Sequence, residues 1–241
     1  MTSIGIIIPS TSKGLNCKDY KETHFYRIFL KSFYKTISKK YTYHIYVVVD
    51  DDDPIYSVKT NKDKLSSTVS LMKGTTLTFI SGTGIEKGWV TKMWNVAFQK
   101  AYDDGCDYFY QCGDDIEFLD KDWDEDCIHL LVSKNNVGLT GPYDYGREIT
   151  YCTKFLMTQT FVSRRHMDFF GFYFPPEIKN WYCDDWITYV YHANKLCFPL
   201  RKRIINKGGK PRYKPDGLND NGKVLNVCRD LITKYKNYII L

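Results

Sequence analysis

The stretch KMWNVAFQKAYDDGCDYFYQCGDDIEF, from Lys92 to Phe118, contains the pattern that decides the fold. Its first part has apolar residues at helical spacing, so that they share one face. Its second part, Tyr108–Cys112, is a short apolar and aromatic run typical of a buried strand. Two adjacent carboxylates, Asp114 and Asp115, follow that strand. The stretch therefore predicts a helix, a strand and an acidic strand end, in that order.

The same alternation precedes this stretch. Helical spacing predicts helices over residues 18–40 and 90–102, and short apolar or β-branched runs predict three strands around them. These strands are Ile4–Ile8, Tyr43–Val49 and Thr76–Ile80. Strands that alternate with helices favour a mostly parallel sheet with helices on both faces. The predicted fold class is therefore α/β, with a Rossmann-like central sheet.

The second half of the chain is predicted to continue the same domain. Its pattern indicates strands and helices without an internal repeat or a long linker. We therefore expect one domain over residues 1–241, with a nucleotide-type half at 1–120, a second half at 121–200, and a basic loop with a C-terminal helix at 201–241.

Composition limits the class of protein. A chain that is 43% hydrophobic and 26% charged is typical of a globular protein, and excludes collagen-like and mostly disordered chains. No apolar run reaches 18 residues, and no basic segment precedes the N-terminal apolar stretch. The eight cysteines form no CxxC pair, which is typical of reduced thiols. These features predict a cytoplasmic protein without a membrane span; they do not determine its oligomeric state.

Two segments of opposite charge stand out behind the net charge of +6. Eleven acids and one base lie between Asp103 and Asp126, whereas seven bases and no acid lie between Arg201 and Lys214. The basic segment predicts attraction of phosphate, and its glycines predict a mobile lid over a diphosphate. Its candidate phosphate-binding residues are Lys207, Lys210 and Arg212. The alternative is that both segments are solvated faces.

Polar side chains follow three of the predicted strands. They are Pro9–Ser12, Asp50–Asp53 and Gly113–Asp115. Because ligands bind at the carboxyl ends of parallel strands, we expect these clusters to meet at one edge of the sheet. Two adjacent carboxylates at the end of a buried strand repel each other when both are ionised, and a bound cation removes this free-energy cost. The pair therefore predicts Mg²⁺ or Mn²⁺. The alternatives are an acidic turn, or a helix cap in the case of Asp50–Asp53.

A second carboxylate pair, Asp184–Asp185, lies at the start of a predicted helix over residues 183–194. Aromatic rings beside carboxylates are typical of sites that hold sugar rings, and a desolvated carboxylate can act as a general base. The rings here belong to Trp181, Tyr182 and Trp186, the candidate acceptor-binding residues. If Asp184 caps the helix, Asp185 is the better base; in the alternative, both acids only cap the helix.

The five histidines are scattered along the chain. His192 follows the second carboxylate pair by two helical turns, which makes it a candidate metal ligand. The other four, His24, His44, His129 and His166, are predicted to be packed or surface residues.

Four segments together resemble the successive signatures of GT-A glycosyltransferases, above all small single-domain enzymes encoded by large DNA viruses. They are IGIIIPST at 4–11, VVVDDDDP at 47–54, the quoted stretch at 92–118 and WYCDDW at 181–186. The resemblance implies a nucleotide-sugar half and an acceptor half. It also implies a UDP- or GDP-sugar donor, Mn²⁺ or Mg²⁺ held by a DXD-type motif, and inverting transfer of a hexosyl or deoxyhexosyl group to a glycan or glycoprotein. Retention is the open alternative, and a virus-encoded enzyme would act in the host cytoplasm.

The resemblance also implies roles for individual residues. Those expected to bind the nucleotide sugar are Pro9, Ser10, Thr11, Asp50, Asp51, Asp52, Lys92, Asn95 and Asp114. Asp115 would be the principal metal ligand, with Asp114 and His192 beside it, and Asp184 or Asp185 would be the catalytic base. Gly113 stands where related motifs often have another Asp, so the motif could instead consist of Asp115 and Glu117.

Two other classes of protein remain open. A nucleotidyltransferase acting on a sugar phosphate would also use paired carboxylates and a metal, but Ile8–Gly14 is a poor match to its Gly-rich basic loop. A non-catalytic nucleic-acid-binding protein would use Arg201–Lys214, but the acidic strand ends would repel its ligand. We therefore expect no nucleic-acid partner.

Overall fold

The computed structural model of this chain describes residues 1–147, 156–209 and 221–239. Within these ranges the strands are β1 (Ser3–Ser10), β2 (Thr42–Val49), β3 (Thr75–Ser81), β4 (Tyr108–Gln111), β5 (Ile116–Phe118), β6 (Leu139–Asp144), β7 (Thr160–Ser163) and β8 (Cys197–Asn206). They form one eight-stranded sheet in the order β3-β2-β1-β4-β7-β6-β8-β5.

Helices connect most of these strands. A π-helical segment, Phe25–Leu30, continues into α1 (Lys31–Thr36). The other helices are α2 (Lys59–Ser70), α3 (Val90–Asp103), α4 (Trp123–Val132), α5 (Arg165–Phe170), α6 (Cys183–His192) and α7 (Asn221–Tyr235), with 3-10 turns at Tyr20–Glu22 and Lys236–Tyr238. In the part of the chain that the structure describes, no helix combines the length and the apolar character needed to cross a bilayer.

The sheet is mixed, with parallel pairs in the majority. β1 pairs in parallel with β2 and β4, β2 pairs in parallel with β3, and β6 pairs in parallel with β8. β7 runs antiparallel to β4 and β6, and β5 runs antiparallel to β8. The predicted α/β class with a mostly parallel sheet is confirmed.

Both faces of the sheet are covered, as the side-chain alternation of β1 shows. Ile4, Ile6 and Ile8 belong to one buried cluster, whereas Ile7 belongs to the other. Because helices cover both faces, ligands can reach the central strands only at their ends. On one face the approach is close, since a Cβ at Gly5 would lie 2.9 Å from the Cβ of Ala101 on α3.

The basic segment differs from its prediction. Residues up to Asn206 do not form a loop but belong to β8, which pairs with β5 and β6. Strand β8 places Ile204 in the core while most of its basic residues stay at the surface. Exposure alternates along this strand, since Pro199, Arg201 and Arg203 are exposed while Ile204 is buried, but the run of three bases at 201–203 hides that alternation in the sequence.

The acidic segment supplies partners for the basic one. The ion pairs are Lys202–Asp126, Arg203–Asp120 and Lys207–Glu117, with N···O distances of 3.2, 2.8 and 3.3 Å. These bases therefore balance nearby carboxylates. The predicted diphosphate contact of Lys207 stays a prediction, and Lys210 and Arg212 lie outside the described residues.

One buried carboxylate connects the loops that follow β1 and β2. Asp53 accepts hydrogen bonds from the hydroxyls of Thr11 and Ser12 and from the backbone N–H groups of Ser12, Ile55 and Tyr56, at 2.5–3.0 Å. Burial alone would raise its pKa, but the hydrogen bonds from Ser12, Tyr56 and Thr11 outweigh burial, so that the pKa of Asp53 is lowered. The shape of this edge of the sheet depends on that carboxylate.

We predict that Asp53→Asn lowers the free energy of unfolding by about 2–4 kcal/mol, because the amide replaces one acceptor oxygen by a donor that faces other donors. Since the folded pKa is depressed, the contribution of Asp53 is fully present above the unfolded pKa and is lost as the pH falls below about 4. Urea unfolding at several pH values measures both effects. Asp52→Asn, at the exposed neighbouring position, is the control and should change stability little; equal losses in the two variants would contradict the role of Asp53.

Candidate functional site

A cleft of about 1210 Å³ opens at the carboxyl ends of β1, β2 and β4. Residues predicted from separate parts of the sequence line this one cleft. They are Pro9, Ser10, Thr11, Asp50, Asp115, Trp181, Tyr182, Asp184 and Asp185. The strand ends supply the first five, and the segment that leads into α6 supplies the others. The structure thus brings the nucleotide, metal and acidic-pair candidates into one space.

The end of β2 carries three carboxylates with different surroundings. Asp50 lines the cleft and also a smaller adjoining pocket of about 330 Å³, and its carboxylate lies 3.1 Å from Lys13 Nζ. Asp51 lines only the smaller pocket, where hydrogen bonds from Ser81 and Thr83 lower its pKa. Asp52 is exposed, pairs with Lys13 and does not line either cavity.

Two carboxylates and an imidazole meet at the end of β4. One ligand atom from each of His24, Asp114 and Asp115 lies within 4.8 Å of the others. Asp114 is buried and accepts a hydrogen bond of 2.7 Å from Ser10 Oγ, which lies 2.9 Å from the hydroxyl of Tyr56. Carboxylate oxygens and an imidazole nitrogen are ligands for divalent cations, so this donor set fits one.

His24 was predicted to be only a packed or surface residue, and His192 was the histidine predicted as a metal ligand. Among the described residues, no other group of three or more His, Cys, Asp or Glu is arranged this closely, and His192 is not part of it. His192 is an exposed residue in the last turn of α6. His24 comes directly before the π-helical segment Phe25–Leu30, and such segments are frequent at functional sites. Its spacing in the sequence does not distinguish His24 from the other four histidines.

The acidic pair stands in the first turn of α6. The helix begins at Cys183 and Tyr182 occupies the cap position, so Asp184 is not the N-cap that the sequence predicted. The carboxylate of Asp184 instead accepts a hydrogen bond of 3.1 Å from the backbone N–H of Asp185. Desolvation, together with the charge of Asp185, raises the pKa of Asp184 to about 6, while Arg147 acts in the opposite direction.

Three other residues predicted to belong to the site do not line the cleft. Trp186 is fully buried in the core against Phe170, so it cannot offer its ring to an acceptor, which corrects that prediction. Asn95 bonds the backbone of residues 173 and 174 and does not line the cleft. Lys92 lies with its Nζ 5.1 Å from the ring of Trp89 and is also outside the cleft lining. The direction of a helical side chain cannot be read from residue type.

Several polar residues of the cleft had not been predicted. Arg147 lines the cleft, and its positive charge acts to lower the pKa of Asp184. Lys179 and Glu86 also line it and form an ion pair of 3.0 Å. Gln111 lies at the end of β4 inside the cleft, and its side-chain oxygen accepts from Thr160. None of these residues stands in a recognisable motif, so only the fold brings them together.

Comparison with known proteins supports the fold. No protein-family model matches the sequence, and no curated protein matches it. Residues 1–349 of TarS from S. aureus superimpose with a TM-score of 0.61 at 14% identity, over 98% of this chain and 66% of that fragment. The same fragment in complex with UDP-GlcNAc gives 0.65 at 13% identity, over 98% and 67%. Its complex with UDP gives 0.54 at 13% identity, over 83% and 58%.

This chain therefore spans about two thirds of the length of the TarS fragment, and 35% of a longer TarS chain that it also matches. At such identities the likeness concerns the fold, which is that of GT-A glycosyltransferases. The predicted GT-A fold is confirmed, whereas the narrower resemblance to virus-encoded enzymes stays a prediction.

Glycine at position 208 permits the loop after β8 to lie against Asp115. A Cβ at Gly208 would overlap the Oδ2 atom of Asp115, and the backbone N–H of Lys207 donates to the carbonyl oxygen of Asp115 at 2.9 Å. We predict that Gly208→Ala displaces this carboxylate and weakens Mn²⁺ binding by about 10-fold or more, the usual effect of disturbing the residues around a ligand.

Electron paramagnetic resonance of free Mn²⁺ measures the affinity. Gly209→Ala is the control, because a Cβ there meets no atom within 4 Å, although its φ of +72° adds some backbone strain. Equal weakening in both variants would show that loop strain, and not the position of Asp115, governs the affinity.

Proposed function

We propose that this protein is a metal-dependent glycosyltransferase that moves a sugar from a nucleotide-sugar donor to a hydroxyl group of an acceptor. One observation carries the proposal: the strand-end loops, Asp115 and the pair Asp184–Asp185 line a single cleft. A sugar transfer needs a holder for the nucleotide, compensation for the charge of the leaving diphosphate, and a base. Likeness to the fold of TarS supports the same class of reaction.

For the donor we propose a UDP-sugar, because the TarS fragment has been crystallised with UDP and with UDP-GlcNAc. Pro9–Thr11 and Asp50 would hold the nucleoside, since they line the cleft at the ends of β1 and β2. Asp50 borders both the cleft and the adjoining 330 Å³ pocket, so a nucleoside that extends into that pocket would pass it. A carboxylate there can accept hydrogen bonds from ribose hydroxyls.

His24, Asp114 and Asp115 would hold the divalent cation, for which Mn²⁺ and Mg²⁺ are the candidates. When bound, the cation neutralises negative charge that develops on the leaving diphosphate. Asp114 is kept in place by its hydrogen bond from Ser10.

For the base we propose Asp184, in an inverting displacement. The acceptor oxygen attacks the anomeric carbon on the face opposite the departing diphosphate, and the carboxylate takes up the proton that this oxygen loses. The preference for Asp185 depended on Asp184 being the N-cap, which it is not. A pKa of about 6 makes Asp184 a stronger base than an ordinary carboxylate, and it is still ionised at neutral pH.

The acceptor is proposed to be a glycan, held near Trp181. This ring is 44% exposed and lines the cleft close in sequence to the acidic pair, and a flat aromatic face is suited to a sugar ring. Tyr182 also lines the cleft, with Glu86 and Lys179 as polar neighbours able to bond hydroxyl groups.

We predict slow hydrolysis of UDP-GlcNAc to UDP and free sugar when Mn²⁺ is present and no acceptor is added. Asp115→Asn should lower this rate at least about 100-fold, because the loss of one carboxylate ligand removes the cation. Chromatography of the products measures it, and release of pyrophosphate instead would indicate a nucleotidyltransferase.

Asp168→Asn, on the exposed surface of α5, is the matched control and should hydrolyse at the rate of the unaltered protein. Full activity of Asp115→Asn, or full activity in excess EDTA, would refute the metal-dependent reaction.

The pH profile of turnover tests the role of Asp184. With Asp184 as the base, kcat/KM should fall with a midpoint near pH 6 as the pH decreases, since protonation removes the acceptor for the proton. Asp184→Asn should lower kcat by about 10²–10⁴-fold and abolish this acid limb. Asp185→Asn should keep more activity and move the midpoint to lower pH, because it removes a like charge.

If Asp185→Asn is the inactive variant and Asp184→Asn keeps the acid limb, Asp185 is the base. Normal turnover by both variants would mean that the pair is structural, and the inverting mechanism would have to be abandoned.

A further inference from the structure

His24 is held in a defined position by its neighbours. Thr23 is fully buried, and its hydroxyl donates to the carbonyl oxygen of Tyr20 at 2.7 Å, while its own carbonyl accepts from the N–H of Arg27 at 2.9 Å. The following residue, Phe25, is buried in the core and stacks on Phe29. The backbone at His24 is therefore anchored on both sides, which keeps this residue beside the end of β4.

The imidazole adds a nitrogen to an otherwise oxygen-based set. The three ligand atoms of His24, Asp114 and Asp115 lie within 4.8 Å of one another. Two ligands on opposite sides of one divalent cation are separated by roughly 4.0–4.4 Å, so small side-chain adjustments would bring all three to one ion. Asp114 is buried, whereas His24 and Asp115 are half-buried. Asp115 lines the cleft, so the group borders the cleft on the side of that carboxylate.

We propose that His24 is a ligand of the cation and gives the site a preference for Mn²⁺ over Mg²⁺. Mg²⁺ takes oxygen ligands at 2.0–2.1 Å in nearly ideal octahedral geometry, whereas imidazole is a better ligand for transition-metal ions. Mn²⁺ accepts carboxylates readily and, as a transition metal, gains from the nitrogen. The selectivity rests on the metal-dependent function proposed above, but its test needs no nucleotide and no turnover.

The alternative is that His24 only packs beside the two aspartates. In that case the ratio of the Mn²⁺ affinity to the Mg²⁺ affinity would be the same with and without the imidazole. Removal of the imidazole would then change the packing beside Asp114 and Asp115 but not the choice of metal.

Mn²⁺ binding followed by electron paramagnetic resonance, with Mg²⁺ as competitor, separates the two possibilities. We expect His24→Gln to weaken Mn²⁺ binding by about 10–100-fold and to change Mg²⁺ binding less, so that the Mn²⁺ preference falls by about 10-fold. His192→Gln, which alters the exposed histidine of α6, is the matched control and should bind both ions as the unaltered protein does. Unchanged selectivity in His24→Gln, or the loss in His192→Gln instead, would overturn the proposal.

Circular dichroism of the metal-free variant shows whether it folds. If it does not, the unaltered protein decides: pulsed electron paramagnetic resonance of the bound Mn²⁺ should show the hyperfine coupling of a directly ligated imidazole nitrogen. Bound Mn²⁺ without that nitrogen coupling would overturn the proposal, because a histidine that only packs beside the carboxylates does not give it. The protein could also show a Mn²⁺ preference that depends on His24 and yet turn over no nucleotide sugar. That result would support the metal site and refute only the proposed function.

Discussion

The hydrogen bonds to the buried carboxylate of Asp53 are the constraint on which the rest of the site depends. They tie Thr11 and Ser12, after β1, to the turn after β2, so the two loops act as one unit. That turn ends at Tyr56, whose hydroxyl lies 2.9 Å from Ser10, and Ser10 in turn donates to Asp114. One chain of polar contacts thus extends from a structural carboxylate to a candidate metal ligand. Loss of the hydrogen bonds to Asp53 would therefore also disturb the position of Asp114.

The carboxylates of this edge illustrate how surroundings divide similar residues among different tasks. Asp53 receives only neutral donors and stays ionised for structural reasons. Asp50 faces the cleft with Lys13 beside it, whereas Asp184 is desolvated next to a like charge and becomes more basic. Asp115 is flanked by Gly113 and Gly208, positions at which a side chain would meet its oxygens. Residue type alone predicts none of these differences, because they arise from burial and neighbours.

The sequence predicted β1, β2 and β4 and the clusters at their ends because these strands are almost fully buried, and a buried parallel strand has a continuous apolar run. β3 lies at the edge of the sheet and is mostly half-buried, so its signal is its content of β-branched and aromatic residues. It failed for β8, where exposed basic residues conceal a strand whose charges are balanced by Asp120 and Asp126 from a distant segment. It also failed for Trp186 and His24. The ring of Trp186 follows two acids in the sequence but points into the core. His24 stands in no motif, and only the path of the chain after β1 brings it to Asp115.

Anomalous diffraction at the manganese absorption edge, from crystals soaked in MnCl₂ and UDP, would show whether a cation binds between His24 and Asp115. We expect one strong peak in the cleft, roughly 2.0–2.6 Å from an oxygen of Asp115 and from a ring nitrogen of His24, with the UDP phosphates against it. Bound UDP with no manganese peak at Asp115, or a manganese peak only elsewhere on the protein, would contradict this expectation.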